Sequence, residues 1–221
     1  MWCIPAASAE FVAAMEHILD LYQQPYNPKR PKVCFDETSK QLIEETRTPL
    51  SARPGQVARF DYEYRRKGTR NLFLFFEPLV GHRHIEITLR RTKQDFAHQM
   101  RWLVDVAYPN AEHIDVILDN LNTHTCAALY ETFEPAEAHR ITRKITFHYT
   151  PKHGSWLNMA EIEFSVTLRQ LGPRVPDEDT LKRKARAIED SRNRSQSSVD
   201  WQFTTDDARI KLKRLYPPIS D

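Results

Sequence analysis

Three acids in this chain stand where they could hold a divalent cation: Asp36, Asp119 and Glu161. Asp119 closes the apolar run Ile114–Leu118 and is followed by turn formers at Asn120 and Asn122. A short apolar run bounded by polar residues predicts a strand buried on both faces. An acid at the C-terminal end of such a strand sits where open α/β sheets bind ligands. A lone Asp there reads most simply as a turn former. Asp119 has company, because Val33-Cys34-Phe35 predicts a second apolar strand that runs into Asp36 and Glu37. Two carboxylates on neighbouring strands suit a hard cation such as Mg²⁺, which takes oxygen ligands. Phosphodiester chemistry on two such ions calls for a further acid.

The helix predicted over 158–171 offers Glu161 and Glu163. Leu157, Phe164, Leu168 and Leu171 form its apolar stripe. Glu161 falls on that stripe, four residues after Leu157 and three before Phe164. Glu163, two residues on and about 200° round the helix, faces away with Met159 and Gln170. A carboxylate on a buried stripe needs a reason. One reason is a capping box, with Asn158 as N-cap and Glu161 as its N3 partner. The other is a metal, favoured by the presence of Asp36 and Asp119.

The elements that must position these acids follow from periodicity. A helix is predicted over 8–22, and Tyr26–Pro31 reads as a linker. Strands at 33–38, 71–77 and 83–89 form a meander, with an irregular excursion over 42–56. A helix over 92–108 buries Phe96, Met100, Leu103 and Ala107 behind the N-cap Thr92. The strand 114–118, a helix over 125–133 and a strand at 145–149 follow. Helices at 158–171, 177–194 and 206–215 close the chain, the first of them stopped by Gly172-Pro173. Strands that first meander and then alternate with helices predict an α/β fold: a mixed five-stranded sheet flanked by helices.

Composition narrows the class. With 40% hydrophobic and 28% charged residues over 221 positions, the chain has enough apolar residues for one good core. A net charge of +2 is too small to declare nucleic-acid binding. Local basic runs stand out instead: Arg65, Arg66, Lys67 and Arg70, then Lys182, Arg183, Lys184 and Arg186. Such runs are commonly solvated faces and serve only as support. Cys3, Cys34 and Cys126 are scattered, which fits a reduced, cytoplasmic setting. No apolar run reaches membrane-spanning length, and the dispersed histidines do not form a zinc pattern.

With three acids placed, the chain resembles the DDE transposases, and within them the insertion-sequence branch of the mariner superfamily (the IS six-thirty group). The motifs that carry the likeness are CFDET at Cys34–Thr38, VILDNLNTH at Val116–His124, and FHYTPKHGSWLNMAEIEFS at Phe147–Ser165. Leu157-Asn158-x-x-Glu161 is similar to the LNxxE pattern that carries the third acid of mariner-type enzymes. TKQDFAHQMRWLV at Thr92–Val104 and the tail from Val199 also match, so the likeness runs over about residues 1–217.

The resemblance implies a ribonuclease-H-like fold with extra N- and C-terminal helices: a helix and linker at 1–32, the catalytic domain at 33–172 and a helical extension at 173–221. It implies Asp36, Asp119 and Glu161 as catalytic metal ligands, with Mg²⁺ or Mn²⁺ as cofactor. Two ions and Asp36 as their shared ligand are our inference. Water activated there would cut one strand, and the freed 3′-OH would attack target DNA. DNA is the implied partner, at transposon ends and target, with a homodimer as the active form. Full-length relatives carry helix-turn-helix modules before this domain, so the chain is expected to be a catalytic half without them. Arg65, Arg66, Lys67, Lys152, Lys182 and Arg183 would then contact phosphate, which gives affinity without sequence information. His124 is expected to cap or pack, Glu37 to be structural or solvent-facing, and Trp156 to staple the start of its helix. Two other readings share the motifs: a cellular nuclease of the same fold, and an inactive remnant that only binds DNA. A phosphatase using Asp36 as nucleophile is disfavoured, because that chemistry wants a second Asp where Thr38 stands.

Overall fold

The structure, a computed structural model, describes residues 8–48, 50–59 and 61–218. Cys3 lies outside them. The chain begins with α1 (Ala9–Gln23), capped by Ser8, whose hydroxyl accepts the Phe11 amide. It then forms β1 (Lys32–Glu45), β2 (Tyr64–Glu77) and β3 (His82–Thr88). α2 (Lys93–Trp102) follows, with a Thr92–Asp95 capping box, and relaxes into a π turn over Leu103–Ala107. β4 (Ile114–Leu118), α3 (Cys126–Thr132), α4 (Pro135–Lys144) and β5 (Ile145–Tyr149) complete the sheet. α5 (Met159–Leu171), α6 (Glu178–Arg194) and α7 (Thr205–Lys211) close the chain.

The five strands lie in the order β3-β2-β1-β4-β5. The β3–β2–β1 meander is antiparallel, and β4 and β5 run parallel to β1. Alternation along the strands divides the core into two layers. Cys34, Leu72, Leu74, Phe76 and Ile117 face α1, α5, α6 and α7. Val33, Phe35, Phe73, Phe75, Val116 and Leu118 face α2, α3 and α4. The sheet is thus covered on both sides, as the two-faced apolar strand 114–118 requires.

Three features depart from the sequence expectation. β1 runs on to Glu45 and β2 begins at Tyr64, so the two form an arm that reaches well past the sheet. The arm bends at an irregularity between Gln41 and Ile43. The basic run Arg65–Lys67 therefore lies on a strand, not in a loop. Second, α4 stands between α3 and β5, where the sequence reading has no helix; Pro135 opens it and Arg143 and Lys144 end it. Third, Glu163 does not face solvent. Its side chain is 3% exposed and lies between Arg83 of β3, also buried, and Arg192 of α6.

The Arg83–Glu163–Arg192 cluster is the main polar joint of the α6 layer. Both Glu163 oxygens accept from Arg192, at 2.7 and 2.8 Å. Arg83 Nε lies 2.8 Å from Glu163 Oε1 but is too poorly aligned to donate, so that contact is ionic. The Arg83 guanidinium also donates to the Gly81 and Ser197 carbonyls and to Asn193 Oδ1. Gly81 makes the close approach possible. Its φ is +69°, and a Cβ there would stand 2.7 Å from the backbone of Gln196 and Ser198. Beside the cluster, Glu189 of α6 accepts the Ile85 amide and pairs with His84.

Candidate active site

Asp36, Asp119 and Glu161 meet at one end of the sheet, each delivered by a different element. Asp36 lies on β1 opposite Leu74 of β2. On the other side β1 pairs with β4 only through Lys32, Val33 and Cys34. Asp36 therefore stands just past the point where β4 ends. Asp119 is the first residue beyond β4, where the chain leaves the sheet.

Glu161 is brought in by the start of α5, and Asn158 fixes that start twice over. Its side-chain oxygen accepts the Ala160 amide as a cap, at 3.1 Å, and its amide nitrogen donates 2.8 Å to the carbonyl of Phe35. The helix is thus tied to β1 one residue before Asp36. Tyr22 of α1 adds a bond of 2.7 Å to the Leu157 carbonyl. The capping box that stood as the alternative account of Glu161 is not formed. The Asn158 backbone N–H donates to the Ser155 carbonyl instead, and among the described residues the Glu161 carboxylate accepts no hydrogen bond.

The electrostatics fit a cation-binding tip. Burial pushes the Asp36 carboxyl up, with Asp119 and Glu161 adding to the rise and a bond from the Glu37 amide opposing it; the result is about 7. Among the described residues neither Asp36 nor Glu161 has a cationic side-chain partner. The three carboxylates are neighbours and not a closed shell: among the described residues no three His, Cys, Asp or Glu side chains form a ready metal cage. Their donor type suits Mg²⁺ or Mn²⁺, which take carboxylate oxygens and complete their shells with water or phosphate. Crowded like charge of this kind is what a divalent cation relieves.

Two residues near the tip carry more than the sequence reading allows. His124 is fully buried, edge-on to Phe35 and tilted against Phe96. Its Nδ1 lies 2.7 Å from Asp119 Oδ1 and its Nε2 3.3 Å from Glu37 Oε2. Burial works to lower its pKa, but the two carboxylates outweigh that and raise it to about 9. Glu37, expected to be structural or solvent-facing, is structural: its side chain is 3% exposed and also faces Arg91 at 3.7 Å. The signal available in sequence was alternation, since the neighbour of an outward Asp36 must point to the opposite face. Trp156 packs on Trp201 and Phe203 of the C-terminal segment.

The basic residues fall on three elements. Arg65, Arg66 and Lys67 are exposed on the arm, with Lys67 3.5 Å from Glu44. Lys152 is exposed in the loop before α5. Lys182 and Arg70 both pair with Glu178, at 2.6 and 2.5 Å, which joins the base of the arm to α6. Arg183 is exposed beside them. No described helix is long and apolar enough to cross a membrane.

A five-stranded mixed sheet of this order, helices on both faces and acids at one end, defines the ribonuclease-H-like fold. The chain belongs to the DDE superfamily endonucleases, whose family model matches residues 31–182. The fold is similar to that of the Mos1 mariner paired-end complex with Mn, at 14% identity over 89% of this chain and 60% of that one, with a TM-score of 0.58. It is also similar to the Mos1 paired-end complex with Mg, at 13% identity over 99% of this chain and 66% of that one, with a TM-score of 0.57. A third likeness is to the Mos1 strand transfer complex, at 12% identity over 89% and 65%, with a TM-score of 0.53. The chain therefore spans 60–66% of the length of these solved chains. A search of curated protein sequences gives no match.

Proposed function

We propose that this chain is the catalytic part of a transposase of the insertion-sequence branch of the mariner superfamily. It would cut DNA at transposon ends and join the freed 3′-OH to target DNA. The observation that carries the reading is Asp36: a half-buried carboxyl at the sheet's end, pushed up to about 7 in the company of Asp119 and Glu161. The family match over residues 31–182 supports it.

We assign Asp36, Asp119 and Glu161 as the ligands of two Mg²⁺ or Mn²⁺ ions, with Asp36 shared. Such ions would supply stabilisation of charge on the attacking and leaving oxygens of a phosphodiester. The chain's own part is placement. The end of β4 limits how far β1 is covered, so Asp36 is open on one side. Asn158 holds the start of α5 against β1, and with it Glu161. The exposed cations Arg65, Arg66, Lys67, Lys152, Lys182 and Arg183 are assigned to phosphate, giving affinity that falls steeply with salt. Several of the similar Mos1 structures are paired-end complexes, one with the left transposon end, and this supports transposon-end DNA as substrate and a homodimer as the active form. We assign residues 33–172 to the catalytic domain, flanked by a helix with linker at 1–32 and a helical extension at 173–221.

Nicking of supercoiled plasmid tests the first step, and joining of a 3′-OH oligonucleotide into plasmid tests the second. Both should require Mg²⁺ or Mn²⁺ and vanish in Asp36→Asn, Asp119→Asn and Glu161→Gln. Cleavage that survives chelation, or survives all three substitutions, would end the proposal.

A further inference from the structure

Asp119 has a weak hold of its own. It follows the last residue of β4, where the chain leaves the sheet, and its side chain is 35% exposed. A carboxylate in such a place has free torsions, yet a metal ligand must be held to within a fraction of an ångström. The restraint comes from five residues later in the chain. His124 Nδ1 donates to Asp119 Oδ1 at 2.7 Å.

The ring that donates is itself held on every side. It is buried among Phe35 and Phe96, and the His124 carbonyl accepts the Tyr149 hydroxyl at 2.7 Å. Its far nitrogen faces Glu37 Oε2 at 3.3 Å. Each ring nitrogen thus meets a carboxylate oxygen. Glu37 directly follows Asp36, and the two point to opposite faces of β1. One strand therefore carries the first acid on one face and the tether of the second acid on the other. Stability alone does not explain this arrangement. Burying a polar ring against two carboxylates costs desolvation that an apolar side chain would avoid.

We propose that His124 is a positioning residue: backed by Glu37, it fixes the Asp119 carboxylate through Oδ1 and leaves Oδ2 for a divalent cation. The inference rests on the reading of Asp119 as a ligand. Among the described residues no hydrogen bond engages Asp119 Oδ2. Groups that orient metal ligands in this way are worth about 10–100-fold in metal affinity.

Two substitutions separate the two ends of the ring. An Asn amide nitrogen takes the place of Nδ1 and reaches Asp119, whereas a Gln amide nitrogen takes the place of Nε2 and reaches Glu37. Both remove the ring from between Phe35 and Phe96. The test is calorimetric titration of the full chain with Mn²⁺ alone, beside melting temperatures without added metal. His124→Gln should weaken Mn²⁺ binding at least tenfold, and His124→Asn by no more than about threefold, at similar losses of melting temperature. Glu37→Gln, which keeps the shape and touches neither Asp119 nor the ring stack, should weaken it by about three- to tenfold. Wild-type affinity in His124→Gln and Glu37→Gln would overturn the proposal, and so would equal loss in the Asn and Gln variants. If the His124 variants do not fold, Glu37→Gln decides alone. Asp119→Asn is the control: unchanged Mn²⁺ affinity there would overturn the ligand reading and this inference with it. Loss in Asp119→Asn but not in the others would overturn this inference only.

Discussion

Glu161 and Glu163 lie two residues apart on α5 and meet opposite electrostatics. Glu161 faces the sheet end beside Asp36, with no cationic partner among the described residues. Glu163 faces the α6 layer, where Arg192 holds both of its oxygens and Arg83 stands behind. The same side chain on the same helix is thus left unpaired in one place and doubly paired in the other. A fold that only needed stability would pair both or bury neither. Where charge is matched the chain is joining layers; where like charge is left to accumulate it is keeping coordination sites open.

The contrast can be broken most sharply at the tip. Asp36→Asn or Glu161→Gln should lower cleavage by about 10³-fold or more, equal to roughly 4 kcal/mol of transition-state stabilisation. The melting temperature should stay level or rise, because a repelling charge is removed. A plasmid-nicking assay beside a thermal melt checks both, and a large fall in melting temperature would mean that the tip is structural.

The paired side should behave in the reverse way. Glu163→Ala leaves Arg83 and Arg192 facing each other in the interior and should cost about 3–5 kcal/mol. For a chain of this size that lowers the melting temperature by roughly 10 °C. The sequence reading turned Glu163 away from the buried stripe; its burial between β3 and α6 corrects that. Glu163→Leu combined with Arg83→Met should recover part of the loss. Failure to recover any would mean that the remaining bonds of Arg83, to Gly81, Asn193 and Ser197, carry the joint.

A smaller effect distinguishes the two regions by ligand. Mg²⁺ or Mn²⁺ at a hundred times its dissociation constant should stabilise the native chain by about 2.7 kcal/mol. That shift should disappear in Asp36→Asn and persist in Glu163→Gln. Equal shifts in both would put the ions elsewhere.

The smallest effect is one of pH, at the edge of the paired layer. Burial works to lower the pKa of His84, but bonds to Glu189 and Glu86 raise it to about 9. The ring stacks on Trp102, and His82 and Arg83 stand close by on the same strand. A histidine with a raised native pKa gives stability that is complete below about 6.5 and lost as pH rises through 9. Between those values stability should fall, His124 contributing over the same window, and His84→Gln should remove part of the slope. His82, whose pKa burial lowers, acts only below that window. A slope unchanged in His84→Gln would assign it to another group.

Much of the tip was legible from sequence because its determinants are local. Alternating strands, a stop at Gly172 and the LNxxE spacing each leave a mark in a few neighbouring residues. What escaped has a physical reason in each case. The outer part of the β1–β2 arm has no second layer, so Tyr64–Thr69 are exposed on both faces and show no two-residue period. α4 buries only Ala138 and Ile141, too few to set up a stripe, although Pro135 and the basic last turn are start and stop signals. Glu163 shows the limit of a helical wheel. The wheel turned it away from the buried stripe, yet it lies on that stripe with Ala160, Phe164 and Thr167, and its partners are Arg83 of β3 and Arg192 of α6, which no wheel can see. Glu37 and His124 meet across 87 residues, a pairing that no local pattern encodes.

The arm joins a sheet covered on both faces to a two-stranded ribbon within one ladder. From Cys34 to Ser39, β1 pairs with a stretch of β2 that is itself backed by β3; from Lys40 outward it pairs with β2 alone. Backbone amides on the two sides of that boundary should report different openings. The inner ones should exchange with solvent deuterium only when the whole chain unfolds, and the outer ones through local fraying at little cost. Three contacts from the end of α5 hold the fraying back: Lys40 to the Gly172 carbonyl, the Ile43 amide to the Val175 carbonyl, and Arg174 to Glu45. The turn at Gly172 that ends the helix of Glu161 is therefore also the clasp on the ribbon. Asp36 sits on the protected side of the boundary, four residues in from Lys40, so the outer ladder can open and close while the acid keeps its place.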